Sequence, residues 1–352
     1  MNVAAKERLA FTGLQAARVA FYGAHYLAAR WLSRDTVAER ARSAHAMPSL
    51  AVLAEAVMAL FARDWKNVEA GLYPAPLDLK REARHALASL RYLVDMPRVV
   101  KRQRAGAHDE AREKGEGLPA YYRRNFHFQT DGYLSERSAR LYDFQVEALF
   151  AGTADAMRRR AYVPMARYLA RRKLKAPVIL DAGAGTGRFL SFVKAVQPQA
   201  RAIALDLSAP YLARAEKRAA KMGQEIETVA APTENMPLAD ESVDVVTSIY
   251  LFHELPPKIR EAAAAEIARV LKPGGIFVFA DSIQYGDAPA FDGLVDIFPA
   301  LLHEPYYESY AKTDVKQLFA RAGLMPGPID IAYLTKVMVF EKPGGIARPI
   351  RN

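Results

Sequence analysis

The stretch that most constrains this chain is Pro177 to Leu190, PVILDAGAGTGRFL. A short apolar run, Val178 to Leu180, gives way to Asp181 and then to glycines at alternate positions, Gly183, Gly185 and Gly187, before Phe189 and Leu190 open a helix. That order is strand, tight turn, helix. Glycine is required where the backbone turns sharply and a ligand must approach without meeting a Cβ, and the helix start beyond it offers free N–H groups. A second apolar run, Ala202 to Leu205, ends in Asp206, whose carboxylate can take both hydroxyls of a ribose. The dinucleotide fingerprint spaces its glycines G-x-G-x-x-G, whereas this chain has G-x-G-x-G preceded by an acid that would repel a pyrophosphate.

Asp181-Ala-Gly-Ala-Gly-Thr-Gly followed by Asp206 resembles the first two motifs of class I S-adenosylmethionine-dependent methyltransferases. The later segment PTENMPLADESVDVV resembles the family's adenine-recognition segment, with Pro232 where an acid is usual, so the contact falls to the Thr233 backbone or the Glu234 side chain. Leu271-Lys-Pro-Gly-Gly275 resembles the turn into the family's fifth strand, and the matches together span residues 135 to 342. The resemblance implies S-adenosyl-L-methionine as donor and S-adenosyl-L-homocysteine as product. It assigns donor binding to Asp181, Gly183, Gly185, Gly187, Asp206, Leu207, Thr233, Glu234 and Tyr250. It also implies that the helix before the glycine turn is a lid, with Tyr142-Asp143 similar to a pair that family lids carry and the Tyr142 ring facing the sulfonium.

The expected fold is α/β: a Rossmann-like domain with a mostly parallel seven-stranded sheet and an antiparallel edge hairpin, preceded by an α-helical N-terminal domain. Strands are predicted at 226–230, 243–249, 275–281, 329–334 and 336–341 besides the two of the opening motif, the central ones apolar on both faces. The domains divide as 1–118 helical, 119–174 lid and connecting helices, and 175–352 methyltransferase. In the helical region, Leu50, Leu53, Val57, Leu60 and Phe61 share one face of a helix opened by Pro48-Ser49, and a second helix spans 79–94, bounded by Pro97. Segment 101–117, charged and without apolar period, reads as an exposed connection. Tyr121 to Phe150 is dense in aromatics, with Ser135 as the cap of a helix from Arg137.

At 352 residues and 51% hydrophobic content the chain can pack two domains. With no cysteine, disulfides and thiolate chemistry are excluded, and the seven histidines show no ligand spacing, so no metal is expected. Residues 1–175 carry 31 basic against 18 acidic side chains and residues 176–352 carry 18 against 21, so the net charge of +10 belongs to the N-terminal half. A basic face suits an anionic small molecule, acidic lipid or nucleic acid. No run is long enough to span a membrane, and a cytoplasmic location is expected. Residues 1–34 are amphipathic and basic, which fits a first helix burying Leu14, Phe21, Leu27 and Leu32, a transit segment, or a peripheral membrane contact; the N-terminal helices could also form a homodimer. A nucleic-acid methyltransferase or an accessory binding module is the alternative class, and no winged-helix, zinc or Asn/Asp-Pro-Pro-Tyr/Phe signature supports it.

Methyl transfer needs an acceptor lone pair held behind an activated methyl, and water kept out. Two acceptor chemistries fit. In one, His253, after the fourth strand, or His303 serves as base toward a hydroxyl or acidic carbon of a small apolar metabolite, with Asp281 and Tyr285 beyond the fifth strand. In the other, favoured by tyrosine density and the basic half, the rings of Tyr142, Tyr306 and Tyr307 surround a thioether or amine that becomes cationic, and a basic residue holds a substrate carboxylate. The methylthiohydroxybutyrate S-methyltransferases of dimethylsulfoniopropionate synthesis resemble this chain in layout. The expected catalytic residues are therefore His253, Tyr142 and Tyr307, and the substrate wall adds Tyr285, His303 and Tyr306.

Overall fold

The computed structural model describes residues 3–32, 43–105, 115 and 117–344. The chain divides into two compact units, one of residues 1–160, 288–308 and 332–334, the other of 161–287, 309–331 and 335–352.

The second unit is built on a seven-stranded sheet. Its strands are β1 (Val178–Ala182), β2 (Arg201–Asp206), β3 (Glu227–Ala230), β4 (Val243–Ile249), β5 (Leu271–Ser282), β6 (Met325–Ala332) and β7 (Thr335–Glu341), in spatial order 3-2-1-4-5-7-6. The first five pair in parallel, and β7 runs antiparallel to β5. Apolar runs make this possible: Ile179, Leu180, Val245, Val246, Phe277 and Phe279 have no solvent exposure, and each such side chain contributes about 1.5–3 kcal/mol by burial. The order reverses between β1 and β4, which opens a crevice at their carboxyl ends, where parallel sheets bind ligands.

Between the strands lie the helices Arg188–Val196, Ala209–Lys221 and Pro257–Val270. The second of these is capped by Ser208, whose Oγ accepts from the Tyr211 N–H at 3.3 Å, and it buries Tyr211, Leu212, Ala215 and Ala219 at helical spacing. The sequence reading placed the Lys-Pro-Gly-Gly turn ahead of β5. It lies instead inside the strand, because Val243 already pairs with Leu271 across a register shift and Gly274 N–H donates to the Lys342 carbonyl.

The first unit is helical. Its elements are α1 (Val3–Leu32), α2 (Leu50–Glu69), α3 (Leu79–Ala105), α4 (Glu136–Leu149), the start of α5 (Ala154–Arg172) and α6 (Asp292–Leu302). Ser49 and Ser135 cap α2 and α4 through N–H bonds from Val52 and Ser138. Three expectations are corrected here. α3 does not stop before Pro97 but carries it internally and continues to Ala105. Its missing N–H leaves the carbonyl of Leu93 without a helical partner, and Leu93 faces solvent, where water can take that bond. α1 buries Phe11, Gln15, Arg18 and Tyr22, leaving Leu14 and Phe21 half-buried and Leu27 exposed. Most of the expected connection at 101–117 lies outside the described residues, and its first part, 101–105, is helix.

The first unit buries charge. Arg159 donates to Asp64 through Nε at 2.9 Å and Nη2 at 2.5 Å, and the Tyr73 hydroxyl adds a third bond to Asp64 at 2.7 Å. Burial opposes the Arg18 charge, but Glu147, Asp155 and Glu82 outweigh it and raise its pKa. Arg18 lies 2.9 Å from Glu147 and 2.5 Å from Glu82. Such pairs define geometry more than they add stability, since removing both charges costs far less than removing one.

Candidate functional site

At the carboxyl end of β1 the chain enters the glycine turn. Gly183, Gly185 and Gly187 have φ of +75°, +54° and +66°, the left-handed region that glycine occupies without strain. A Cβ at Gly187 would stand 2.7 Å from that of Ala215, so this glycine closes the turn onto the neighbouring helix. A Cβ at Gly183 would lie 3.0 Å from the Leu251 side chain, whereas at Gly185 the nearest atom is 3.9 Å away, which leaves that backbone open to approach. The N–H groups of Gly183 and Ala184 both donate to the Leu205 carbonyl, so β2 holds the turn in place.

Asp206 ends β2 beside this turn. Its Oδ2 accepts from the Gly185 N–H at 2.8 Å and its Oδ1 from the Ser208 N–H at 2.7 Å. Desolvation raises the Asp206 pKa above the ordinary aspartate value, and those two N–H bonds oppose the rise. Leu207 follows, half-buried. Asp181 is buried within β1 and accepts from the Thr247 hydroxyl at 2.6 Å, bridging β1 to β4. Thr233 is buried and Glu234 half-buried in the turn after β3, where the Asn235 N–H donates to the Pro232 carbonyl.

The carboxyl ends of β4 and β5 supply the titratable groups. Tyr250 leaves β4 with φ +59°, an uncommon conformation for a tyrosine; its hydroxyl shares a 2.5 Å hydrogen bond with Thr335 Oγ1. The Ser248 Oγ is buried and makes no hydrogen bond among the described residues. A single helical turn, Phe252–Glu254, follows and carries His253. Its Nδ1 lies 2.5 Å from Asp281 Oδ1, and Asp281 also accepts the N–H groups of Phe252 and Ser282. With three donors on Asp281, the carboxylate form is satisfied and Nδ1 of His253 carries the proton, which leaves the basic lone pair on Nε2. The Tyr310 ring stands edge-on to His253 at 6.1 Å. Tyr285 sits half-buried in the turn beyond β5.

The remaining sequence candidates belong to the first unit. Tyr142 packs beside Tyr133 at 6.0 Å and against the cluster around Leu60 and Met157. Tyr307 is buried against Phe298 at 4.8 Å, and Tyr306 is half-buried. His303 ends α6 with φ +49°. The same unit lines an apolar cavity of about 1200 Å³ that opens to solvent. Leu53, Val57 and Phe61 line it with Phe11, Trp65 and Phe298, while Leu60 of the same expected α2 face is buried in a core cluster with Val146 and Met157. Sequence reasoning did not reach the cavity, the bond between His253 and Asp281, or the packing of Ala215 under Gly187.

Residues 179–275 match the family model described as "Methyltransferase domain". An uncharacterized methyltransferase of Geobacillus thermodenitrificans is 30% identical over 42% of this chain and 68% of its own length. A malonyl-[acyl-carrier protein] O-methyltransferase of Xylella fastidiosa is 36% identical over 29% of this chain and 33% of its own, and a ubiquinone/menaquinone biosynthesis C-methyltransferase of Bartonella henselae is 32% identical over 34% and 46%. The chain thus spans between a third and a half of these two relatives. Among solved structures, the 1,6-didemethyltoxoflavin-N1-methyltransferase of Burkholderia thailandensis, with bound S-adenosylhomocysteine, aligns at 22% identity and a TM-score of 0.40 over 54% of this chain and 80% of its own.

Proposed function

Because this chain belongs to the class I S-adenosylmethionine-dependent methyltransferases, we propose that it methylates an oxygen or carbon of a small, largely apolar acceptor, with His253 as general base. The observation that carries this reading is the 2.5 Å bond between His253 Nδ1 and Asp281 Oδ1, which favours the tautomer protonated at Nδ1 and leaves Nε2, 4.0 Å from Glu254 Oε1, as the basic nitrogen. The names of two relatives specify O- and C-methylation.

The second unit's residues fit the methyl donor. The turn at Gly185 leaves backbone room, Asp206 presents a carboxylate at the strand end for ribose hydroxyls, and the Ser248 Oγ is a buried polar atom still able to bond. Asp181 and the glycines are proposed to shape the donor's amino-acid end, Thr233 and Glu234 its adenine, and Leu207 and Tyr250 its flanks. When bound, the donor supplies a methyl carbon activated by sulfonium. The chain's part is to hold the acceptor in line, exclude water and take a proton at His253 Nε2.

A second reading keeps a thioether or amine acceptor with a carboxylate, such as 4-methylthio-2-hydroxybutyrate, bounded by Tyr142, Tyr306 and Tyr307. The excess of basic residues in the N-terminal half supports it. A neutral sulfur needs no base, so one experiment separates the two. Under the base reading, His253→Gln lowers kcat by about 10²–10⁴-fold and removes the acidic limb of the pH–rate profile. A wild-type profile without that limb, together with full activity of His253→Gln, would hand the site to the thioether. An acceptor screen with labelled donor across phenols, acids, amines and thioethers identifies the substrate.

A further inference from the structure

α3 buries a largely polar face and exposes an apolar one. The buried face carries His85, Ser89, Asp95, Arg102 and Gln103 together with Met96 and Val100, while Leu79, Leu87, Leu90, Leu93 and Val94 are exposed, Leu87 at 70% and Val94 at 69%. At 100° per residue these five fall in one stripe about 120° wide. Lys80, Arg84, Arg91 and Arg98 run along one edge of the stripe, and Lys101 and Arg104 stand at its carboxyl end, all six exposed. The helix's acids are elsewhere: Asp95 is buried and pairs with Arg137 at 2.7 Å, and Glu82 pairs with Arg18 and Arg81. Arg84 and Arg98 each lie 3.8 Å from an aspartate, Asp78 and Asp95, at the limit of an ion pair.

We propose that the outer face of α3 docks on a membrane surface that carries anionic lipids, with the leucines among the acyl chains and the cations at the head groups. A row of apolar side chains edged by Lys and Arg, with no exposed acid on the helix itself, is the pattern of an interfacial helix. A soluble acidic groove would not need leucines, and a neutral apolar one would not need six cations. Pairing of this face with a second copy is disfavoured by charge: antiparallel helices bring the Lys80 to Arg98 rows side by side, and parallel ones bring Lys101 and Arg104 onto their own copies. Among the described residues no helix is long and apolar enough to cross a membrane, so the helix lies on the surface.

The test is co-sedimentation of the full chain with phosphatidylcholine vesicles and with vesicles containing about a third phosphatidylglycerol. The bound fraction should rise at least about tenfold with the anionic lipid and fall back at high salt, because the cations are surface charges. Leu87→Gln with Leu90→Gln, and separately Arg91→Gln with Arg98→Gln, should each lower binding several-fold while circular dichroism and melting stay as in the wild type. Equal binding to both vesicle types, or binding untouched by either pair, overturns the proposal. So does a soluble dimer, seen by light scattering, that Leu90→Gln dissolves, or a preference for RNA over anionic vesicles.

Discussion

The two units solve the burial problem in opposite ways. In the second, the buried side chains are those a parallel sheet demands, with Val245, Val246, Phe277 and Phe279 stacked in the centre and the polar groups gathered at the strand ends. In the first, Asp64 and Glu147 are wholly buried while leucines of α3 stand in water. The contrast teaches that sheet packing fixes where the chemistry goes, whereas the helical unit buries ion pairs among its apolar clusters and leaves an apolar stripe of α3 exposed. A sheet core tolerates few rearrangements because each register shift exposes a whole face. A helix bundle with paired charges inside is fixed by those pairs, and its outer faces are free to vary.

The largest effect should come from breaking a buried pair in the helical unit. Asp64→Ala strips Arg159 of both its bonds to Asp64 and leaves a buried cation, at a cost of about 3–5 kcal/mol, read by chemical denaturation. Replacing Asp64 and Arg159 together by apolar residues should cost much less; equal costs would mean that the pair does not organise this unit. In the sheet unit the sensitive point is geometric. Gly187→Ala puts a Cβ 2.7 Å from that of Ala215 in a left-handed conformation, and overpacking with strain should cost about 1–3 kcal/mol and weaken donor binding as the turn shifts. Ala215→Gly opens that space and should restore part of the loss, whereas no rescue would place the damage in backbone strain alone.

The sheet unit was legible for physical reasons. A parallel strand covered on both faces must be a continuous apolar run, and the glycine turn and Asp206 announce their own positions, so the fold and the donor candidates could be read from residue types. The bond between His253 and Asp281 could not. Both residues stood out singly, but they are 28 apart and meet only because Ile249 pairs with Ala280 in the register of β4 on β5. The helical unit was harder still. Periodicity marked the apolar face of α2 without saying which of its residues pack and which line a cavity, the apolar outer face of α3 was not read from the sequence, and Pro97 read as a stop because a solvated carbonyl is invisible in sequence.

Acid adds a sharper mark on Asp206. Its raised pKa means that the folded, donor-free protein holds a proton there up to a higher pH than the unfolded chain. Stability contributed by that proton is therefore lost as pH rises through the raised value, while a carboxylate able to accept ribose hydroxyls appears over the same range. Donor affinity should strengthen with rising pH across a window above the ordinary aspartate value, and Asp206→Ala should abolish that dependence.

Asp206 is the proposed ribose contact through which the second unit holds the donor. Calorimetric titration of the full chain with S-adenosylhomocysteine decides it, comparing wild type with Asp206→Ala. Loss of two hydrogen bonds to a carboxylate predicts an affinity lower by about 10²-fold or more, with melting in the absence of ligand lowered because the Gly185 and Ser208 N–H groups lose their acceptor. An unchanged Kd in a folded Asp206→Ala variant would contradict it.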